Sequence, residues 1–178
     1  MKKGIIIGLL FTCIFASSAR VMTYNLLNYD DDNSRETYFI TIINFVNPNI
    51  IVAEEVQSQT GYSHFKSDVL DVANPNEWSG ATFTNQSASQ DIALYYQHDL
   101  FTFISTSTIN TAQSSGTRDV VEWVMMHNDS EIEFRIYGVH LKASSGDENA
   151  QQRLAETTIL RDYLNTLPAG SEFIVAGD

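Results

Sequence analysis

The sequence contains a single cysteine, Cys13, in 178 residues. It lies in an apolar N-terminal segment, so residues 20–178 contain no thiol. Disulfide bonds, thiolate metal sites and cysteine nucleophiles are therefore excluded from that part of the chain.

Basic residues are scarce: 10 Lys and Arg stand against 22 Asp and Glu, which gives a formal net charge of −12. Lys2 and Lys3 belong to the N-terminal segment, so the remainder is more acidic still. Such a chain has no broad electrostatic attraction for phosphate backbones. Contact with nucleic acid would have to depend on a metal ion and a few local cations. Solubility outside the cell explains the acidity equally well.

The longest apolar run lies at the N-terminus. Met1-Lys2-Lys3 is a short basic region, residues 5–15 are almost wholly apolar, and small residues follow at 16–19. This pattern predicts a secretory signal peptide of residues 1–19. The apolar run is shorter than the roughly 20 residues that span a bilayer. We therefore expect a secreted protein, extracellular or periplasmic, in which residues 20–178 form one monomeric domain without stable membrane association.

Strand and helix patterns alternate along residues 20–178, without repeats or long linkers. Ser34 is expected to cap the first helix, in which apolar residues recur with helical spacing. The last strand is apolar and expected to be buried. The alternation predicts an α/β or α+β layered sandwich. The predicted strands are 20–27, 49–56, 78–84, 92–97, 101–109, 120–127, 132–142 and 172–176, and the predicted helices are one that follows Ser34 and the segments 59–72 and 147–167.

Four polar side chains stand at the ends of apolar strands: Asn25 in VMTYNLL, Glu55 in NIIVAEEVQ, His140 in IYGVHLKAS and Asp178 in FIVAGD. Strand ends in α/β sheets gather at one edge, so these residues can converge. Carboxylates suit Mg²⁺ or Ca²⁺, and histidine can move a proton near neutral pH. Each residue alone also has a structural explanation, as a turn former, a solvated strand end or a core residue. The prediction therefore depends on the ordered set.

The ordered set resembles the endonuclease/exonuclease/phosphatase superfamily, across residues 20–178. TYNLLNYD is similar to the first-strand asparagine motif of that family, IIVAEEVQ to its metal-binding glutamate motif, VHLK to its catalytic-histidine strand and FIVAGD to the opening of its Gly-Asp-x-Asn motif. SQDIALYYQ and SGTRDVVEW resemble its middle strands. The resemblance implies a four-layer α/β (α+β) sandwich, in which two packed mixed β-sheets are flanked by helices.

The resemblance also implies roles for the polar residues. Glu55 would bind a divalent metal, Mg²⁺ with Ca²⁺ or Mn²⁺ as alternatives, and Asn25 would position the metal shell or the phosphate. His140 would contact the scissile phosphate as an acid or an electrostatic stabiliser. Asp178 would orient the attacking water or assist the metal.

Two further assignments concern neighbouring charges. Glu55 is preferred to Glu54 as the metal ligand because alternation along the strand places Glu55 on the face of Ile51 and Ala53. Arg118 is a candidate phosphate clamp, since a guanidinium matches phosphate oxygens in bidentate fashion. An exposed loop arginine is the alternative for Arg118, and Lys142 is expected to be a surface residue.

The family's Gly-Asp motif continues with an asparagine, and its later strands carry another aspartate and an Asp-His pair. We therefore expect this chain to be the N-terminal part of a longer enzyme, incomplete at its C-terminus. Residues 20–178 alone should be nearly inactive and should expose apolar sheet surface. The expected reaction is metal-assisted phosphodiester hydrolysis by a secreted nuclease, with DNA as substrate. The alternatives are a phosphatase or sphingomyelinase-like phosphodiesterase on the same fold, and a secreted non-catalytic binding protein.

Overall fold

A computed structural model describes residues 18–31, 34–86, 90–114 and 116–178. The predicted signal peptide lies outside the described residues, apart from Ser18 and Ala19. The strands are β1 Val21–Tyr29, β2 Ile50–Val56, β3 Trp78–Gly80, β4 Asp91–Gln97, β5 Phe101–Ile109, β6 Val120–His127, β7 Ile132–Val139 and β8 Glu172–Gly177. The helices are α1 Glu36–Val46, α2 Gln59–His64, a π-helical turn Phe65–Leu70, α3 Asp71–Ala73 and α4 Asp147–Leu164.

The strands form two mixed sheets of four strands each. The first sheet has the order β1-β2-β4-β3, with β1 and β2 parallel and the other pairs antiparallel. The second has the order β5-β6-β7-β8, in which only β7 and β8 are parallel. Each sheet therefore contains one parallel pair, whose strands end at the same edge.

Alternating residues of β2 separate two layers of the core. Ile50 and Val52 pack with residues of the second sheet, such as Val121 and Trp123, in a cluster between the two sheets. Ile51 and Ala53 face the opposite side, where α1 and the helical segment after β2 cover the first sheet. Because hydrophobic side chains on both faces are buried, the strand is apolar throughout.

A third cluster covers the outer face of the second sheet. Leu160 and Leu164 of α4 pack there against Val120, Tyr137 and Val139. The order of layers is thus helix, sheet, sheet, helix, which confirms the predicted four-layer sandwich. None of the helices among the described residues is long and apolar enough to cross a membrane.

The first helix begins later than its sequence predicts. Arg35, not Ser34, is the N-cap residue of α1, and its side chain makes no capping hydrogen bond. Instead the Arg35 guanidinium donates to the carbonyl oxygens of Leu26 and Leu27, each at 2.9 Å. These contacts tie the start of the helix to the end of β1.

The prediction that the last strand is buried is wrong for the described residues. Phe173, Ile174 and Val175 of β8 are 41%, 37% and 44% exposed. Among the described strands β8 pairs only with β7, so it forms the edge of its sheet. The described part of the chain thus exposes apolar sheet surface, as its sequence predicts.

Candidate active site

The four polar side chains at the strand ends lie together at one edge of the sandwich. Asn25 belongs to β1 and Glu55 to β2, while His140 and Asp178 directly follow β7 and β8. The Asn25 Nδ2 atom donates to Glu55 Oε1 at 2.9 Å and to Asp178 Oδ2 at 3.0 Å. His140 Nε2 lies 3.9 Å from Glu55 Oε1. The site therefore joins the parallel pairs of both sheets.

The orientation of the Asn25 amide is fixed at both ends. Its Oδ1 atom accepts a hydrogen bond from the backbone N–H of Leu27 at 2.9 Å, which leaves the NH₂ group for the two carboxylates. An aspartate here could not donate to either carboxylate. Asparagine is thus the residue that can hold Glu55 and Asp178 side by side.

Backbone irregularities aim the glutamate at this edge. The register of β1 with β2 shifts between Asn25 and Tyr29, and that of β2 with β4 shifts between Glu54 and Val56. Glu55 has φ 61°, and Asn28 has φ 55°. These left-handed residues let the Asn28 N–H donate to Glu55 Oε2 at 3.0 Å. Bulges commonly redirect side chains near active sites in this way.

The bulge shows that one reason for preferring Glu55 to Glu54 as the metal ligand was wrong. Simple alternation places Glu55 on the face of Ile51 and Ala53, but Val56 packs in the cluster that contains them. Glu55 instead points to the edge of the sheet, because the extra residue at the bulge breaks the alternation.

The neighbouring Glu54, to which Glu55 was preferred from the sequence, is a buried acid next to the site, and its burial was not predicted. Its side chain is 1% exposed and accepts a hydrogen bond from Thr23 Oγ1 at 2.7 Å. Burial raises the pKa of Glu54 to about 7, the negative charge of Asp178 adds to the rise, and the Thr23 hydrogen bond opposes it. Near neutral pH the Glu54 carboxyl is therefore protonated in a large share of molecules.

His140 is buried and close to the carboxylates. Burial lowers the pKa of His140, the positive charge of Arg118 lowers it further, and Glu55 and Asp178 oppose the change. The imidazole is therefore neutral near pH 7, with one N–H to donate and one nitrogen to accept. Its Nδ1 atom is buried without a hydrogen-bond partner among the described residues.

Backbone hydrogen bonds hold Asp178 next to His140. The Asp178 N–H donates to the carbonyl of Val139 at 3.0 Å, and its own carbonyl accepts from the N–H of Leu141 at 2.9 Å. Gly177 makes this approach feasible, because its φ is 144° and a Cβ atom there would overlap the Val139 carbonyl oxygen. A glycine is thus required before Asp178 on steric grounds.

Arg118 is buried, at 8% exposure, so the alternative of an exposed loop arginine is wrong. Its guanidinium donates to the carbonyl of His140 at 3.2 Å, to Gln90 Oε1 at 3.3 Å and to the carbonyl of Gly116 at 3.3 Å. Most of its donors are therefore used inside the protein. Its position beside His140 is clear, and its contact with phosphate stays a prediction.

A second buried acid, Asp91, lies at the start of β4. It is fully buried and accepts a hydrogen bond from the Gln86 N–H at 3.2 Å, while its Oδ2 atom has no hydrogen-bond partner among the described residues. Burial raises the pKa of Asp91 to about 6, and the Gln86 hydrogen bond and the charge of Arg118 oppose the rise. A charged residue at the start of the apolar stretch DIALYY was the available signal, and sequence reasoning did not use it.

The donor set fits a divalent cation with hard oxygen ligands. Carboxylate oxygens of Glu55 and Asp178 lie within 3.0 Å of the same Asn25 nitrogen. In the described ranges no group of three or more His, Cys, Asp or Glu side chains is arranged to hold a metal ion. One or two carboxylates completed by water and substrate phosphate are the usual surroundings of Mg²⁺. Glu55 and Asp178 would hold the ion, and neutral His140 would not repel it.

Comparison with known proteins identifies the fold. The TDP2 protein of D. rerio, solved with a single-stranded DNA product, superposes with a TM-score of 0.68 at 11% identity, over 90% of this chain and 60% of that one. The human Nocturnin catalytic domain with bound sulfate gives 0.68 at 21% identity, over 90% and 63%. A mannosyl-6-phosphatase of Bacteroides thetaiotaomicron gives 0.65 at 16% identity, over 90% and 65%.

An endonuclease/exonuclease/phosphatase family protein of Bacteroides thetaiotaomicron gives a TM-score of 0.65 at 16% identity, over 91% of this chain and 63% of that one. Together these four structures confirm the fold that the sequence motifs predicted. No protein-family model and no curated protein matches the chain. The chain spans less than two thirds of the length of the solved structures reported above.

Proposed function

We propose that this chain, which has the endonuclease/exonuclease/phosphatase fold, carries part of the active site of a divalent-metal-dependent phosphodiester hydrolase. The observation that supports this most is the amide of Asn25, which holds the carboxylates of Glu55 and Asp178 next to a neutral His140. Strand ends from both sheets supply these groups, so the fold itself brings them together.

In the proposed mechanism Glu55 and Asp178 would hold a divalent cation, which would supply stabilisation of charge on the phosphoryl and leaving oxygens. Asn25 keeps the two carboxylates in place. Asp178 orients a water molecule whose oxygen attacks phosphorus as the bond to the leaving oxygen breaks. The proton of the water passes through the Asp178 carboxylate to solvent, and the leaving oxygen takes a proton from solvent. His140, neutral near pH 7, donates one N–H to a phosphoryl oxygen. Arg118 fixes the His140 backbone and contributes positive charge beside the phosphate.

The proposed substrate is a nucleic acid, with DNA first, cleaved outside the cell. Secretion follows from the N-terminal pattern, and the nuclease assignment from the motif series. A phosphatase or a phospholipid phosphodiesterase is the nearest alternative, because one fold hosts several phosphoesterases. A non-catalytic binding protein is the alternative of another class.

One assay separates these functions. The full-length gene product is incubated with plasmid DNA, RNA, sphingomyelin and a phosphomonoester, with Mg²⁺ and with chelator. We expect Mg²⁺-dependent cleavage of DNA or RNA that chelator abolishes. Cleavage of sphingomyelin or the monoester alone would favour the phosphatase or phospholipid alternative. If the Glu55→Ala and His140→Ala variants cleave the substrate as fast as the wild type, the site assignment is wrong.

A further inference from the structure

The loop that follows His140 and the helix α4 each contribute one cation beside the candidate site. Lys142 and Arg153 line a cavity of about 180 Å³ that also contacts His140 and Asp178. The cavity has room for several water molecules or one phosphate group. A smaller cavity of about 90 Å³ lies on the Arg118 side of the same loop. His140 and Lys142 line both.

The α4 helix fixes the backbone of Lys142 on both sides. Its N–H donates to Glu156 Oε2 at 3.0 Å. Its carbonyl accepts from Arg153 Nη1 at 2.8 Å, and the same nitrogen donates to the carbonyl of Ser144 at 2.8 Å. The origin of the Lys142 side chain is therefore set by a buried carboxylate and a guanidinium, which is unusual for a solvated surface lysine.

The two cations of this cavity form no ion pair among the described residues, although Asp178 also lines the cavity. Within the part of the chain that the structure describes, Lys66 pairs with Asp71, and Arg135 pairs with Glu122 and Glu133, whereas Lys142 and Arg153 form no ion pair. The Lys142 ammonium donates to the Ala143 carbonyl at 3.3 Å. In a chain with 22 acidic and 10 basic residues, two neighbouring cations that make no ion pair among the described residues favour the binding of an external anion at this place.

We propose that Lys142 and Arg153 form a second phosphate subsite, which binds a phosphate next to the scissile one. The inference rests on the proposed function, because it places the scissile phosphate at Glu55, Asp178 and His140. It specifies the substrate class as a nucleic-acid strand with at least two successive phosphates. A substrate with one phosphate, such as a sphingolipid or a sugar monophosphate, leaves the subsite without a ligand.

The kinetic test compares thymidine dinucleotides that carry one internal phosphate with those that carry an additional 5′- or 3′-phosphate, on the full-length gene product with Mg²⁺. We expect kcat/KM to be about five- to tenfold higher with the additional phosphate, as one charge-assisted hydrogen bond predicts. Lys142→Gln should bring this ratio close to one, and Lys142→Arg should retain it. Arg161→Gln, an exposed cation on the same helix, is the charge-matched control and should leave the ratio unchanged.

An equal effect of Lys142→Gln on all dinucleotides, or no effect, would overturn the subsite. If the wild-type protein cleaves neither the dinucleotides nor plasmid DNA or RNA, the proposed function fails, and a binding measurement decides the subsite separately. Its probe is a fluorescein-labelled phosphorothioate oligothymidylate, followed by anisotropy against salt. Lys142→Gln should reduce the slope of log K against log salt by about 0.7, the contribution of one phosphate contact on a single strand. An unchanged slope would contradict the subsite.

Discussion

The adjacent glutamates Glu54 and Glu55 provide a matched pair of substitutions, because both change a carboxylate to an amide and only one should remove a metal ligand. Glu55 accepts hydrogen bonds from Asn25 and Asn28 and a longer one, at 3.4 Å, from Gln90. In Glu55→Gln an NH₂ group must face one of these donors, and the ligand loses its charge. Loss of such an electrostatic element costs about 10³-fold or more in rate.

Glu54→Gln should behave differently. The hydrogen bond from Thr23 reaches Oε1, which a glutamine oxygen can replace. Because burial raises the pKa of Glu54 to about 7, the substitution removes only a partial charge at neutral pH. We expect kcat/KM to stay within about tenfold of the wild type, the effect of roughly 1.4 kcal/mol.

The assay is kcat/KM of the full-length gene product for an oligonucleotide at saturating Mg²⁺ and pH 7, with thermal unfolding of each variant as the control for folding. A loss in Glu54→Gln as large as that in Glu55→Gln would refute the assignment of the metal to Glu55. So would a folded Glu55→Gln variant with wild-type activity.

Three further predictions follow from the same geometry. Gly177→Ala should lower the free energy of unfolding by about 1–3 kcal/mol, because its Cβ would overlap the Val139 carbonyl, and activity should fall with it; equal denaturant midpoints would contradict this. Because the pKa of Asp91 is raised to about 6, its contribution to stability is fully present below pH 4 and is lost as pH rises through about 6. Between pH 4 and 7 the free energy of unfolding of the wild type should therefore fall by roughly 2–3 kcal/mol relative to that of Asp91→Asn, as measured by urea unfolding. A difference between the two proteins that does not change with pH would refute this. Residues 20–178 alone should self-associate in sedimentation experiments through the exposed face of β8, and Ile174→Lys with Val175→Lys should reduce this; a wild-type monomer that melts cooperatively would contradict it.

The sequence predicts most of this fold, because its core patterns are regular. The bounds of β5 and β6 match the prediction, since polar turns border these strands on both sides. Leu160 and Leu164 of the predicted helix 147–167 are four residues apart and pack on one face of α4, as helical spacing requires. The start of α1 is different, because Arg35 reaches the end of β1, and a contact between distant elements leaves no local pattern.

The sequence predicts which residues form the candidate site better than it predicts how they are arranged. The position of Glu55 depends on a left-handed backbone, which the residue type does not signal, since glutamate rarely adopts a positive φ. The burial of Glu54 and Arg118 depends on contacts between segments that are distant in the sequence, such as those of Arg118 with Gln90 and His140. From their residue types alone such polar side chains are expected to be exposed, and only the folded structure shows that water is excluded from them.

The most direct test of the central claim is anomalous diffraction from crystals of the full-length gene product soaked with Mn²⁺. The account predicts an anomalous peak within roughly 2.0–2.3 Å of a Glu55 carboxylate oxygen, beside Asp178 and in reach of His140. Mn²⁺ bound elsewhere, with no peak at Glu55 in an enzyme that hydrolyses its substrate, would contradict it.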